Sequence, residues 1–155
     1  MKGLVLMGAM AVLLVLTACG DAAPTAVPPT APAAAAVPGH ATVQHILIGF
    51  KGSVSGKNIT RSQEEAKTLA YQLLAKAKGG SDFDQLVREN TDDSPPGIYS
   101  MSDTGVPAGK GEYPREGMVP AFGNVGFSLK PGEIGIADFD PATSPFGYHI
   151  IKRLK

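Results

Sequence analysis

Apolar positions along this chain follow three regimes. Behind Lys2 they run almost unbroken from Gly3 to Val15, close with Leu16-Thr-Ala-Cys19, and stop at Gly20-Asp21. Residues 20–39 then carry five Pro and eight Ala with no apolar period. Ala favours helix, but Pro24, Pro28, Pro29, Pro32 and Pro38 prevent a long one. This stretch predicts a semi-extended tether of at most roughly 60 Å, at ~3.1 Å per residue. From residue 41 onward the pattern becomes that of a folded domain.

Residues 41–50 predict a strand covered on both faces, because Val43 and Leu47 alternate with Ile46 and Ile48. Residues 51–61 are a polar loop. Ser62-Gln-Glu-Glu65 reads as a capping box opening a helix. Ala66, Leu69, Ala70, Leu73 and Ala77 recur at helical spacing until Gly79-Gly80. Ser81 is the expected cap of a shorter helix over 82–89, burying Phe83, Leu86 and Val87, with Asp82 and Asp84 at its positive end. A polar turn over 90–97 leads to a strand over 98–101. Residues 102–117 have no period and read as a long surface loop. A helical turn within 118–127 presents Met118, Phe122 and Phe127. A turn over 129–133 precedes a strand over 134–139, and residues 140–144 lead into a last strand, Tyr148 to Leu154. A strand in that position is ordered only when paired, which predicts an inner or well-covered place in the sheet. The order β-α-α-β-α-β-β defines an α+β class: a small antiparallel sheet packed by helices.

Composition narrows the function. The chain has 155 residues, with 14 Lys+Arg against 14 Asp+Glu. One domain of ordinary size fits that length. The balance supplies no basic field for nucleic acid, so no nucleic-acid partner is expected. The one cysteine excludes an internal disulfide and a cysteine-rich metal site. No cofactor is expected, and the domain is expected to be a monomer.

The candidate chemistry lies in two histidines, His45 within the first strand and His149 within the last. A lone strand histidine is most simply a hydrogen-bonded core residue; a pair in the first and last strands of one small domain calls for a joint explanation. His40, at the end of the tether, reads as a linker residue.

The amino-terminal stretch has the positive start, apolar core and small-residue exit of a secretory signal, and falls short of the ~20 residues of a comfortable membrane span. Its Leu-Thr-Ala-Cys ending resembles the bacterial lipobox. That resemblance implies a signal peptide over 1–18, lipidation of Cys19, a tether over 19–40 and a folded domain over 41–155. It places the domain outside the cytoplasm, lipid-anchored to a bacterial membrane. An ordinary signal peptide with an incidental cysteine and an uncleaved anchor are the alternatives.

The folded part resembles the parvulin family of peptidyl-prolyl cis-trans isomerases. Six landmarks in order carry the resemblance: Gln44-His-Ile-Leu-Ile48, Asp82-Phe83, Thr91-Asp-Asp93, Gly117-Met-Val-Pro-Ala-Phe122, Phe127-Ser-Leu-Lys-Pro-Gly-Glu-Ile134 and Phe146-Gly-Tyr-His-Ile-Ile151. It implies a parvulin-like (FKBP-like) four-stranded antiparallel sheet surrounded by helices. It also assigns roles: His45 and His149 as paired histidines at the floor of a catalytic site, Asp93 and Ser144 as polar members of the same network, and Met118 and Phe122 as the pocket for a substrate proline. Tyr99 stands where an aliphatic residue is usual, and Phe146 completes the wall. The partners implied are unfolded or partly folded proteins with X–Pro bonds.

The chain departs from the family after Asp93. A Gly-Gly-Asp-Leu-Gly-like stretch is replaced by Pro95-Pro-Gly-Ile-Tyr-Ser-Met101, and about sixteen further loop residues precede Met118. Gly49 occupies the position nearest to the basic residues of phospho-specific relatives, so phosphoserine selectivity is unsupported. Two uses of one apolar cup remain open: isomerisation of X–Pro bonds, or chaperone-like holding of proline-containing segments without turnover. A third class, metal binding by His45, His149 and Asp93, has suitable ligand types but no close sequence spacing.

Overall fold

The computed structural model describes residues 39–155. The signal-peptide, Cys19 and tether assignments fall outside these residues. The described chain runs β1 (His40–Ile48), α1 (Gln63–Lys78), α2 (Phe83–Asn90), β2 (Ile98–Ser102), β3 (Tyr113–Pro114), a 3-10 turn (Arg115–Gly117), α3 (Pro120–Ser128), β4 (Ile134–Ala137) and β5 (Tyr148–Arg153). The sheet order is β3-β2-β1-β5-β4. All neighbours are antiparallel except β2 and β3. The α+β class is as expected, and the last strand is an inner one, between β1 and β4.

Strand alternation separates the two cores. On β1, Ile46 and Ile48 join Tyr148 and Ile150 of β5 against α1 and α2, with Ala66, Ala70, Leu73, Phe83 and Val87. Ala41, Val43 and Ile151 face the other side, where Met101 of β2 and Phe122 of α3 meet them. Covering both faces explains why β1 reads as a nearly continuous apolar run.

Local capping shapes the helices. Ser62 and Glu65 form the expected capping box on α1. On α2 the cap is Asp82, not Ser81: the Asp82 carboxylate accepts from Gln85 N at 2.9 Å. A carboxylate is as good a cap as a hydroxyl and adds charge at the helix's positive end.

The expected four-strand count is corrected to five. Residues 102–117 are not wholly irregular: Tyr113–Pro114 returns parallel to Met101–Ser102. Side-chain ties hold that return in place. Glu112 meets His40 Nδ1 at 2.9 Å, and Arg115 donates to Asp103 (2.6 Å) and Asn124 (2.7 Å). These partners are distant in sequence and leave no periodic trace. The helical turn foreseen near Phe122 is the nine-residue α3.

Arg153, at the end of β5, binds the sheet to α3. It is 6% exposed. Its guanidinium donates to the carbonyls of Gly126 (3.0 Å) and Leu129 (3.3 Å) at the end of α3, and to that of His40 (3.0 Å). These groups would otherwise lack donors, since the last carbonyls of a helix have no partner within it. Arg153→Met keeps most of the stem but strands these carbonyls. It is expected to lower unfolding free energy by about 2–4 kcal/mol in urea denaturation, the scale for losing charge-assisted hydrogen bonds. A loss under about 0.5 kcal/mol, within the scatter of surface substitutions, would show the guanidinium to be dispensable.

Candidate active site

Register brings the two histidines together. β1 and β5 pair with His45 opposite Ile151 and Leu47 opposite His149. His45 and His149 are therefore diagonal neighbours on the sheet face that α3 covers, within reach of ring side chains. Their Nδ1 atoms lie 3.2 Å apart, with ring centroids at 5.3 Å and planes 17° from parallel. Phe122 stands edge-on to both, at 5.0 Å from His45 and 5.5 Å from His149.

The segment carrying Asp93 is hung on the same strand. Asp92 N donates to Leu47 O at 2.8 Å, while Leu47 N and Asp93 N both donate to Thr91 Oγ1. Gly97 closes the turn at φ +65°. A Cβ there would sit 2.6 Å from the His45 carbonyl oxygen, so glycine is required by space as well as by backbone. Asp93 Oδ2 then lies 3.0 Å from His45 Nε2, and accepts from the Tyr99 hydroxyl at 2.9 Å.

Electrostatics sets the proton positions. The hydrogen bond from His45 holds the Asp93 carboxyl well below the usual carboxylate range, aided by Ser94 N and Tyr99. An ionised carboxylate only accepts, so His45 carries a proton on Nε2. In neutral His45 the Nδ1 is bare and accepts from His149 Nδ1–H. Burial, and then the neighbouring His45, lower His149 to about 3. Tyr99 is pushed up to about 12, by burial and by the Asp93 carboxylate. The result is a directed chain, His149 to His45 to Asp93, with Tyr99 as a second donor to the same oxygen.

These groups floor a cavity of about 320 Å³. Of the residues singled out from sequence, His45, Asp93, Tyr99, Met118, Phe122, Phe146 and His149 line it. Ser144 does not. It is fully buried, and its hydroxyl donates to Gly147 O at 3.0 Å, closing the turn that launches β5. Its place is structural support rather than the polar network. Leu47, Val54 and Val119 also line the cavity. Leu47 was readable as the strand neighbour two residues from His45; Val54, in an aperiodic loop, had no such signal. Among the described residues no group of three or more His, Cys, Asp or Glu side chains is arranged to hold a metal.

The described residues thus set an apolar cup over a buried histidine pair. Residues 32–155 match the family described as the PPIC-type PPIase domain. The chain belongs to that family of peptidyl-prolyl isomerase domains. It is 36% identical over 96 residues to the foldase protein PrsA of Caldanaerobacter subterraneus subsp. tengcongensis, covering 62% of this chain and 27% of that protein. It is 32% identical over 117 residues to the peptidyl-prolyl cis-trans isomerase pin1 of Schizosaccharomyces pombe, covering 74% of this chain and 59% of that one. The chain thus spans less than two thirds of either relative. The solution structure of TbPIN1 superposes with a TM-score of 0.57 at 23% identity, over 77% of this chain and all of that one. That likeness concerns the fold.

The lowered His149 value has a pH consequence. An unfolded chain takes up this proton near the ordinary 6.5, whereas the folded chain takes it up only near about 3. The stability linked to His149 is complete above pH 6.5 and is lost as pH falls through that window. Asp93, also lowered when folded, adds a separate loss at more acid pH, below the ordinary carboxylate range. Unfolding free energy in urea is expected to fall from pH 6.5 to pH 4, with a shallower slope in His149→Leu. Equal slopes in the two proteins would contradict the buried, neutral assignment.

Proposed function

We propose that this chain is a peptidyl-prolyl cis-trans isomerase that acts outside the cytoplasm on unfolded or partly folded proteins, tethered to a bacterial membrane through lipidated Cys19. The observation that carries the isomerase reading is the apolar cavity whose floor is the His149–His45–Asp93 chain.

Rotation about an X–Pro bond breaks amide resonance, over a barrier of ~18–20 kcal/mol, and takes tens to hundreds of seconds unaided. Neither proton transfer nor a covalent intermediate is needed. Catalysis requires tighter binding of the twisted amide than of either planar form. Met118 and Phe122 hold the proline ring, with Tyr99 and Phe146 as flanking walls. The planar amide carries partial negative charge on its carbonyl oxygen, and twisting reduces it. An ionised carboxylate in the cavity therefore disfavours the planar, dipolar form, and apolar walls strengthen the effect by excluding water. Asp93 supplies that charge. His45 and Tyr99 hold it in place, and His149 fixes the orientation of His45. Among the described residues lining the cup Asp93 is the one carboxylate, and it is held by hydrogen bonds from His45 and Tyr99, so no nucleophilic step is invoked.

Asp93→Asn removes the charge with little change of shape. It is expected to lower kcat/KM at least tenfold, in the range of single electrostatic contributions to catalysis. His149→Ala should cost a similar factor, with folding checked by circular dichroism. The assay is proline-limited refolding of a model protein by the purified full chain. Full activity in both variants would overturn the mechanism; binding of the unfolded client without acceleration by the native chain would favour a holding module.

The anchor has its own test. Several acyl chains on one residue give stable membrane attachment, at ~0.8 kcal/mol per buried CH₂. Expressed in a bacterium, the native chain is expected in the membrane fraction, and Cys19→Ser in the soluble extracytoplasmic fraction. Identical fractionation of the two would remove Cys19 from the proposal.

A further inference from the structure

Among the described residues Tyr113 is the most exposed of the large apolar side chains, with 52% of its surface in water. It sits on β3, paired with Met101 of β2. Paired residues of neighbouring strands point to one face of a sheet, and so do residues two apart on a strand. Tyr113 therefore shares the face of Met101 and Tyr99, which is the face of the cavity. Its ring stays outside the core that α3 covers and packs on Tyr99 instead, with centroids at 5.8 Å and planes 54° apart. Tyr99 lines the cavity and stands edge-on to Phe122 at 5.9 Å. Three rings thus run from the proline cup to open solvent. The outer two sit where the chain departs from the parvulin pattern, Tyr99 at a usually aliphatic position and Tyr113 in the lengthened loop.

That loop is held from both sides. Asp103 N donates to Gly39 O at 2.8 Å, and Val106 packs so closely on Gly39 that a Cβ there would meet its Cγ2 at 2.8 Å. Glu112 accepts from Gly109 N at 2.7 Å and meets His40 Nδ1 at 2.9 Å. Arg115 is engaged by Asp103 and Asn124. The charged residues flanking Tyr113–Pro114 are thereby occupied by partners inside the fold, which leaves the ring as the contact group of this surface. Covering the edge of β2 takes only backbone, so that duty does not account for the ring. An aromatic side chain on a held loop offers contact area with little further ordering when something lands on it.

We propose that Tyr113 is a docking ledge for an aromatic side chain of the same client polypeptide that presents its proline to the cavity. The inference rests on the isomerase reading above for where the proline sits. Continuity through Tyr99 sets the spacing: the Tyr113 ring lies within about 12 Å of Phe122, three to four residues of extended chain at ~3.3 Å per residue. An aromatic occupant meets the ring in offset or edge-on contact, which adds to the burial of its area. The ledge stands at one end of the cavity, so it reads the client on one side of the proline only.

The test uses the full chain and three nine-residue peptides with one Ala–Pro bond: Phe three residues before the proline, Phe three residues after it, and Ala at both places. Exchange between isomers is followed by NMR. One Phe peptide, and not the other, is expected to exceed the Ala peptide roughly five- to tenfold in kcat/KM, the scale of one aromatic pair, with the gain carried by KM. Tyr113→Ala should abolish that gain and Tyr113→Trp should keep it. The ratio between peptides is the readout, so a general loss of activity in a variant cancels, and circular dichroism checks the fold. Equal rates on all three peptides, equal gains on both sides, or a gain that survives in Tyr113→Ala would overturn the ledge and leave the isomerase reading standing. Absence of catalysed exchange on every peptide would overturn the isomerase reading. The ledge is then decided by the dissociation constants of the same peptides from chemical-shift titration: the same one-sided, Tyr113-dependent ratio upholds it, and equal constants overturn it.

Discussion

The pairing of β1 with β5 is the contact on which everything else rests. The two strands are separated by about a hundred residues and align over six residue pairs, from Val43 with Arg153 to Ile48 with Tyr148. Closing so long a loop carries an entropic cost that grows only slowly with length. It is offset by burial on both faces of both strands. The same register places His149 diagonal to His45, directs Arg153 at the end of α3, and leaves β1 a free edge for β2. A slip of one residue would turn His45 into the core that α1 fills and remove the site altogether.

Much of this was legible in the chain. The capping box at Ser62 and Glu65 is local chemistry and shows in four residues. The apolar run from Val43 to Ile48 shows because covered strands need apolar residues on both faces. His45, Asp93, Phe122 and His149 were named from landmarks, and the structure gathers them around one cavity. The features that escaped depend on partners far away in sequence. Arg153 reads as one cation among several in the last stretch, and nothing nearby reveals that its donors meet the end of α3. Tyr113–Pro114 becomes a strand only because β2 offers an edge. Ser144 belonged to the right neighbourhood but to a different task, because its hydroxyl is taken by a carbonyl three residues on.

The site separates two duties. Its polar part is linked from buried His149 through His45 to the partly exposed Asp93, while the second ring nitrogen of His149 is buried with no hydrogen-bond partner. Its apolar part is more open, with Phe146 43% exposed at the rim. Rigid charge under an accessible apolar mouth suits chemistry that moves no proton and only reshapes a bond's charge distribution.

The inner place of β5 also governs when this domain is able to exist during synthesis. A nascent chain that has emerged as far as α3 has β1 and β2 but no partner for the other edge of β1, and β4 has nothing to join. The sheet closes only once residues 148–153 are free of the machinery that makes or moves the chain. Until then the two cores lack Tyr148, Ile150 and Ile151, and the whole stretch remains pliable. A topology of this kind ties completion of the sheet to the arrival of β5, the strand most distant in sequence from the β1 it pairs with.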